Sequence, residues 1–326
     1  MPTALELART GDERAFGELV EPYRRELLVH CYRLLGSYTD AEDVLQEALL
    51  AAWRGLATYE ERAALRTWLY RIATHRCLNA RRDASRRPAE PVPPFELPEP
   101  TRRGEMTWLQ PWPGAVPDSG HDAIESVELA FVTGLAHLPP RQAAALVLRD
   151  VLEFSTAEVA GLLDTTPTVV KGLVQRARAG VGVQPPPRPT AAAERELAAR
   201  FAAAYVAGDV AGVVALLTDD AWLAMPPAPH EYGGRTAIAE FLAASLGSRD
   251  RSVELEPASV AGGPAFGVYG GGRAATLIVL TCRADGIAAV TRFHLPQLFE
   301  RFGLPDQLRG ASADILRQSS HGTAQS

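Results

Sequence analysis

Between Arg66 and Arg82 the residues Trp68, Arg71, His75, Asn79 and Arg82 recur at the spacing that places them on one side of a helix, opposite Leu65, Leu69, Ala73 and Ala80. Guanidinium, imidazole, amide and indole groups offered together can pair with phosphate and stack on bases. The surrounding run from Arg62 to Arg87 holds eight arginines against the single acid Asp83, a local charge that points to phosphate. Just upstream, Ala41 to Leu56 carries Leu45, Leu49, Ala52, Trp53 and Leu56 on one helical side and Asp40, Asp43 and Glu47 on the other. One face packs, and the carboxylate face meets a partner.

A second constellation lies further along. Leu138-Pro139-Pro140-Arg141 opens a helix with prolines in its first turn, and Ala143 to Leu152 continues it in apolar period. Ser155, with Glu158 three residues later, forms a capping box for a short helix, Thr156 to Leu163. Asp164-Thr165-Thr166 turns the chain into Pro167 to Arg178, whose Val170, Val174 and Ala177 face inward. This pattern predicts a helix-turn-helix. Thr168, Lys171, Gln175 and Arg178 follow i, i+3, i+7 and i+10, so a hydroxyl, an amine, an amide and a guanidinium face a major groove together, while Arg176 suits a phosphate.

The 326 residues leave room for two or three domains, and 47% hydrophobic residues are ample for their cores. A net charge of −6 argues against a nucleic-acid binder until the clustering of the cations is seen. No stretch approaches the ~18 apolar residues of a membrane span, and Met1-Pro2-Thr3 shows no signal-peptide pattern, so a cytoplasmic protein without membrane contact is expected. Cys31, Cys77 and Cys282 stand far apart, which predicts buried thiols and neither a metal site nor a disulfide.

Proline marks the boundaries. Pro91, Pro93, Pro94, Pro98 and Pro100 rule out a helix or central strand in the segment after Asp83. Inside that segment Trp108-Leu109-Gln110-Pro111-Trp112-Pro113 is too apolar for a tether in water, and Trp108, Leu109 and Trp112 are expected to dock on another part of the chain. A second break, Gln184-Pro185-Pro186-Pro187-Arg188-Pro189, opens a third domain.

DAEDVLQEALLAAW (Asp40 to Trp53) and LRTWLYRIATHRCLNARR (Leu65 to Arg82) closely resemble region 2 of extracytoplasmic-function sigma factors, the small promoter-recognition subunits of bacterial RNA polymerase. FSTAEVAGLLDTTPTVVKGLVQRAR resembles region 4 of the same family. The resemblance implies that Asp40, Asp43, Gln46 and Glu47 bind core RNA polymerase. It also implies that Tyr59, Arg66, Trp68, Arg71, His75, Asn79 and Arg82 engage the −10 element of promoter DNA, the loop Thr58 to Ala64 taking an unstacked base. Thr168, Lys171, Gln175, Arg176 and Arg178 would contact the −35 element. Trp68 has a rival role as core, and His75 stands where many relatives carry Asn.

The expected architecture is therefore multidomain: two all-α helical DNA-binding domains, region 2 (1–87) and region 4 (123–183), joined by a Pro-rich linker (88–122), then an α+β cone (190–304) and a C-terminal tail (305–326). In the cone, Glu194 to Ala207, Val210 to Leu217 and Thr236 to Leu246 read as helices. Ala221 to Met225, Ser252 to Val260, Phe266 to Gly270, Ala274 to Arg283 and Ile287 to His294 read as strands. FAAAYVAGDVAGVVALLTDDAWLAMPP and YGGRTAIAEFL resemble the SnoaL-like branch of the nuclear-transport-factor-two-like superfamily, which contains enzymes as well as interaction modules. Trp222, Met225, His230, Tyr232, Phe241 and Phe293 are candidates to line its pocket around a small ligand, with Tyr205 and Arg292 as further polar groups. His230 is placed in a loop, and Asp219 and Asp220 at a helix end. No nucleophile, catalytic triad, metal set or cofactor can be assigned. Two roles remain open for the cone, a built-in regulator of sigma activity or an enzyme or sensor for a small molecule.

Overall fold

The computed structural model describes residues 3–61, 63–84, 96–103, 109–114, 129–181, 189–247, 253–258 and 260–308. The chain divides into two compact units, 1–88 with 120–184 and 89–119 with 185–326.

Among the described residues the first unit is built of helices. Its elements are α1 (Ala4–Arg9), α2 (Glu13–Leu35), α3 (Tyr38–Gly55), α4 (Leu65–Ala84), α5 (Leu129–Ala136), α6 (Pro140–Leu146), α7 (Thr156–Leu162) and α8 (Pro167–Val181). Side-chain caps start several of them: Thr3 and Glu6 close a capping box on α1, Asp12 caps α2 and Ser37 caps α3. Gly36, at φ 75°, ends α2 in the left-handed conformation that lets α3 turn back beside it.

α2, α3 and α4 pack through the apolar stripes read from the sequence. Val44, Leu45, Ala48, Leu49 and Ala52 of α3 and Leu69, Tyr70, Ala73 and Cys77 of α4 are buried. A polar link joins α2 to α4 inside this core. The Thr74 hydroxyl donates to the Tyr70 carbonyl (2.7 Å), so it accepts from His30 Nε2, 2.9 Å away. Complete burial, with Arg33 and Arg66 nearby, pushes the His30 pKa down to about 3. Cys31, Cys77 and Cys282 are buried, and none is in a disulfide.

The second unit is an α+β fold. α9 (Ala191–Ala207), α10 (Val210–Ala215) and α11 (Gly234–Gly247) accompany a seven-stranded sheet in the order β1-β3-β2-β7-β6-β5-β4. Its strands are β1 (Arg102–Arg103), β2 (Leu217–Met225), β3 (Ala228–Gly233), β4 (Val253–Ala258), β5 (Ala265–Gly270), β6 (Arg273–Arg283) and β7 (Gly286–Phe293). Neighbours pair antiparallel except β2 with β7, which run parallel. Phe201, Tyr205, Leu223, Met225, Tyr232, Ile238, Phe241, Ile278 and Val290 belong to one buried cluster joining the helices to one face of the sheet.

Several expectations for this unit are corrected. The Pro-rich stretch that holds His230 is not a loop but strand β3. It forms because Pro229, which has no N–H to give, falls where the register with β2 skips from Glu231 to Ala228. Asp219 and Asp220 lie within β2 and not at a helix end, and they form surface ion pairs with Arg235 and Arg283. Its hydrogen bonds from Arg283 hold Asp220 down at about 2.

The C-terminal boundary also moves. Ala274 N donates to Asp306 O (3.0 Å) and Leu308 N to Gly272 O (2.9 Å), so the chain still belongs to the sheet beyond Leu304. Finally, the segment read as a Pro-rich linker contributes a strand, Arg102–Arg103, to the sheet of the second unit.

Candidate nucleic-acid interface

α3 presents Asp43, Gln46 and Glu47 to solvent, while Asp40 is half-buried in the first turn behind the Ser37 cap. Glu47 lies 3.9 Å from Arg76 of α4, at the outer limit of an ion pair between exposed groups. The carboxylate face is thus laid out along two turns of helix, opposite the buried stripe.

On α4 Arg71, Arg76, Asn79, Arg82 and Asp83 are exposed, with Trp68 and His75 half-buried. Trp68 lies 4.9 Å from the ring of Tyr59 and against the small core of Ala8, Ala15 and Leu56. Tyr59 itself is buried, and its hydroxyl donates to the Ala63 carbonyl (2.6 Å). The structure therefore places Tyr59 in the core and not on the open face expected of it, because its ring fills the corner where the 3-10 turn Leu56–Thr58 leaves α3. Arg66 is also engaged. Its Nε and Nη2 take Glu26 at 3.0 and 2.9 Å, and its guanidinium covers the rings of Tyr70 (4.8 Å) and Phe154 (5.3 Å).

The middle of this face is covered from within the unit. Asp164, at φ 47° in the turn after α7, accepts from Arg71 Nη2 at 2.7 Å through one carboxylate oxygen. Its other oxygen lies 3.2 Å from His75 Nε2. That nitrogen is also 3.0 Å from the Leu162 carbonyl, and because both partners only accept, His75 carries its proton on Nε2. Further along, Arg81 Nη2 donates to the carbonyls of Ala136 and Leu138, both at 2.9 Å.

The helix-turn-helix forms as its sequence indicates. Ser155 and Glu158 complete the capping box of α7, and their hydrogen bonds hold the Glu158 carboxyl below its ordinary range. Arg141 donates to the Leu163 carbonyl (2.7 Å) and fixes the end of that helix. Val170, Leu173, Val174 and Ala177 of α8 are buried, whereas Thr168, Lys171, Gln175, Arg176 and Arg178 are exposed. Lys171, Gln175 and Arg178 share a shallow groove with Arg149 and Thr156. Arg149 was not singled out from the sequence, since its place in the groove depends on how α6 runs on through the π-type turn Val147–Val151. Arg178 takes both oxygens of Asp150 at 2.8 Å, which raises its pKa further.

In the second unit the Pro-rich segment is gripped at two places. Leu97 packs against the buried cluster, Tyr232 donates to the Pro98 carbonyl (3.0 Å), Thr101 bonds Glu231 and Gly233, and Arg102–Arg103 pair with Glu231 and His230. Leu109 and Trp112 are buried, and Ala261 N donates to the Trp112 carbonyl (3.0 Å). Trp108 lies outside the described residues.

Of the pocket candidates, Met225, Tyr232 and Phe241 are core, Tyr232 and Phe241 packing at 4.8 Å. His230 is half-buried in β3. Trp222 and Phe293 are corrected. Trp222 is 40% exposed and lies over Gly233, because Leu223 holds the inward position of β2. Phe293 follows Arg292, which contacts Ser245 of α11, so strand alternation turns Phe293 to the opposite face.

Three family descriptions match this chain: Sigma-70 region 2 over 19–87, Sigma-70 region 4 over 128–179 and a SnoaL-like domain over 198–298. The chain is 39% identical over 325 residues to the ECF RNA polymerase sigma factor SigG of Mycobacterium tuberculosis (strain H37Rv), covering 92% of this chain and 86% of that one. It is 35% identical over 205 residues to SigJ of the same strain, covering 61% of each. The crystal structure of Mycobacterium tuberculosis SigJ matches with a TM-score of 0.57 at 25% identity, over 88% of this chain and 99% of that one.

Proposed function

The chain belongs to the ECF RNA polymerase sigma factors, and from that premise we propose how its surfaces divide the work of binding core RNA polymerase, recognising the −35 and −10 elements and starting transcription. Asp43, Gln46 and Glu47 form the contact with core enzyme, with Asp40 at its margin. Trp68, Arg71, His75, Asn79 and Arg82 engage the −10 element, where stacking and phosphate contacts offset the few kcal/mol that each extruded base costs. Tyr59 and Arg66 support that face from beneath. Thr168, Lys171 and Gln175 read −35 base edges, Arg176 holds phosphate, and Arg178 joins once it leaves Asp150. The protein works in the cytoplasm.

The SnoaL-like domain acts as a regulator without catalysing a reaction. The observation that carries this reading is the capture of Leu97, Arg102 and Trp112, residues that lie in sequence between the two DNA-binding regions, by the buried cluster, the β3 edge and the Ala261 turn of the second unit. A domain that holds the connection between two promoter-reading modules can set the spacings they reach.

In-vitro transcription with core polymerase tests both parts. Asp43→Arg with Glu47→Arg should abolish association with core and transcription, while normal co-purification would remove the acidic face from the mechanism. Trp112→Ser should shift promoter-dependent output in the same direction as truncation after Val183. If the truncated chain responds and the Trp112 variant does not, the linker is a passive tether.

A further inference from the structure

Arg292 of β7 is 5% exposed, on the face of the sheet that α11 covers. Its Nη1 donates to Ser245 Oγ (2.9 Å) and its guanidinium stands 5.3 Å from the centre of the Phe241 ring. Its Nε has no hydrogen-bond partner, and among the described residues no carboxylate lies within ion-pair distance. Elsewhere in this chain Arg66 and Arg178 each hold a carboxylate through two nitrogens. A buried guanidinium is normally compensated in that way, because leaving its charge unpaired in a weakly polar interior is costly.

His294, two residues on and on the same face by strand alternation, does not supply the missing charge. Burial and the nearby Arg292 push its pKa down to about 4, so it is neutral at pH 7. Its Nδ1 lies 3.2 Å from the hydroxyl of Thr276, and its Nε2 is buried without a partner. In the tautomer in which Thr276 donates to Nδ1, the imidazole proton sits on Nε2 and can be given to a bound acceptor. An orphaned guanidinium N–H with its uncompensated positive charge and, two residues on, a buried imidazole nitrogen without a partner therefore stand at the end of β7, and Phe241 and Ile278, the register partner of Arg292 on β6, lie next to the guanidinium.

We propose that the SnoaL-like domain binds a small organic carboxylate, its oxygens accepting from Arg292 Nε and His294 Nε2 and its apolar body lying against Phe241 and Ile278. One guanidinium beside a neutral imidazole balances a single negative charge. A phosphate dianion would bury a surplus one, and the apolar walls suit a hydrocarbon or aromatic body. This site is independent of the residues assigned to polymerase and DNA, so its failure would leave the sigma-factor reading untouched.

The test uses the full chain and sodium benzoate, with benzamide and sodium chloride at matched concentration and ionic strength. Benzoate should raise the thermal midpoint and shift the Arg292 Nε–H resonance in the wild-type protein, and neither control should do so. Arg292→Met should weaken the apparent affinity at least tenfold, and Arg292→Lys less, because the ammonium keeps the charge without the fork. The resonance measurement needs no variant and decides the matter even if Arg292→Met fails to fold. Equal responses to benzamide would reveal apolar filling only, and equal responses to chloride an adventitious ion only. Either result, or no response to benzoate at tens of millimolar, overturns the proposal.

Discussion

His75 Nε2 stands 3.2 Å from the Asp164 carboxylate, joining the middle of the arginine-bearing helix to the turn of the helix-turn-helix. Arg71 uses the other oxygen of the same carboxylate at 2.7 Å. Both side chains belong to the face proposed for the −10 element, and on that proposal the turn and the DNA would compete for the same donors. All three groups are substantially exposed, with side-chain exposures of 52%, 38% and 54% for Arg71, His75 and Asp164. Solvent screening therefore limits the latch to about 1 kcal/mol. Such a bias delays opening without preventing it.

Asp164→Asn keeps a residue tolerant of positive φ and removes the charge. It should raise transcription from a matched promoter severalfold, in line with a roughly fivefold shift in the opening equilibrium. Hydrogen exchange at the α4 amides around Arg71 and His75 should speed up in the free protein. Unchanged exchange together with unchanged transcription would show that the contact holds nothing closed.

Base reading and positioning separate on α8. Lys171→Ala and Gln175→Ala should each cost about 1–3 kcal/mol at particular −35 bases. Arg176→Ala should weaken every sequence alike and flatten the salt dependence of binding. Three variants with one common profile across a promoter library would mean that α8 enters the groove in another orientation.

The buried imidazole on α2 predicts an acid-sensitive first unit. His30 titrates near 3 in the folded chain and near 6.5 when unfolded, so below pH 6.5 the unfolded state takes up a proton that the native state refuses. The stability is present in full above that value and is lost as pH falls toward 3, by about 2 kcal/mol between roughly pH 7.5 and 5. His30→Gln, which can still donate to Thr74, should flatten that slope, read from hydrogen exchange of the α2 and α4 amides. A variant with the same slope as wild type would assign the acid sensitivity to other groups.

Much of this was legible along the chain because it depends on local period. The buried stripe of α8, the Ser155–Glu158 box and the exposed acids of α3 each follow from neighbours within a few turns. What escaped depends on partners far away in sequence. β3 looks like a loop because Pro229 is harmless only in a register set by β2 and by the Arg102–Arg103 strand. Tyr59 looks like a free aromatic until Trp68 covers it, and nothing near Asp164 announces that it will face Arg71 and His75. Phe293 and Arg292 could both be nominated for one pocket only while the pleat of β7 was unassigned.

The pairing of the Pro-rich segment with β3 also sets an order of events in time. Thr101 and its acceptor Glu231 are 130 residues apart, and at about 5–20 residues per second the ribosome needs on the order of ten seconds to make the intervening chain. In the last part of that interval, once residue 179 has been made, both promoter-reading regions have been synthesised while the strand partner of Arg102 and Arg103 has not. Each newly made molecule passes through a window in which its connecting segment is unclaimed, and a polymerase encountered then meets both promoter-reading regions before β3 has taken hold of the segment between them.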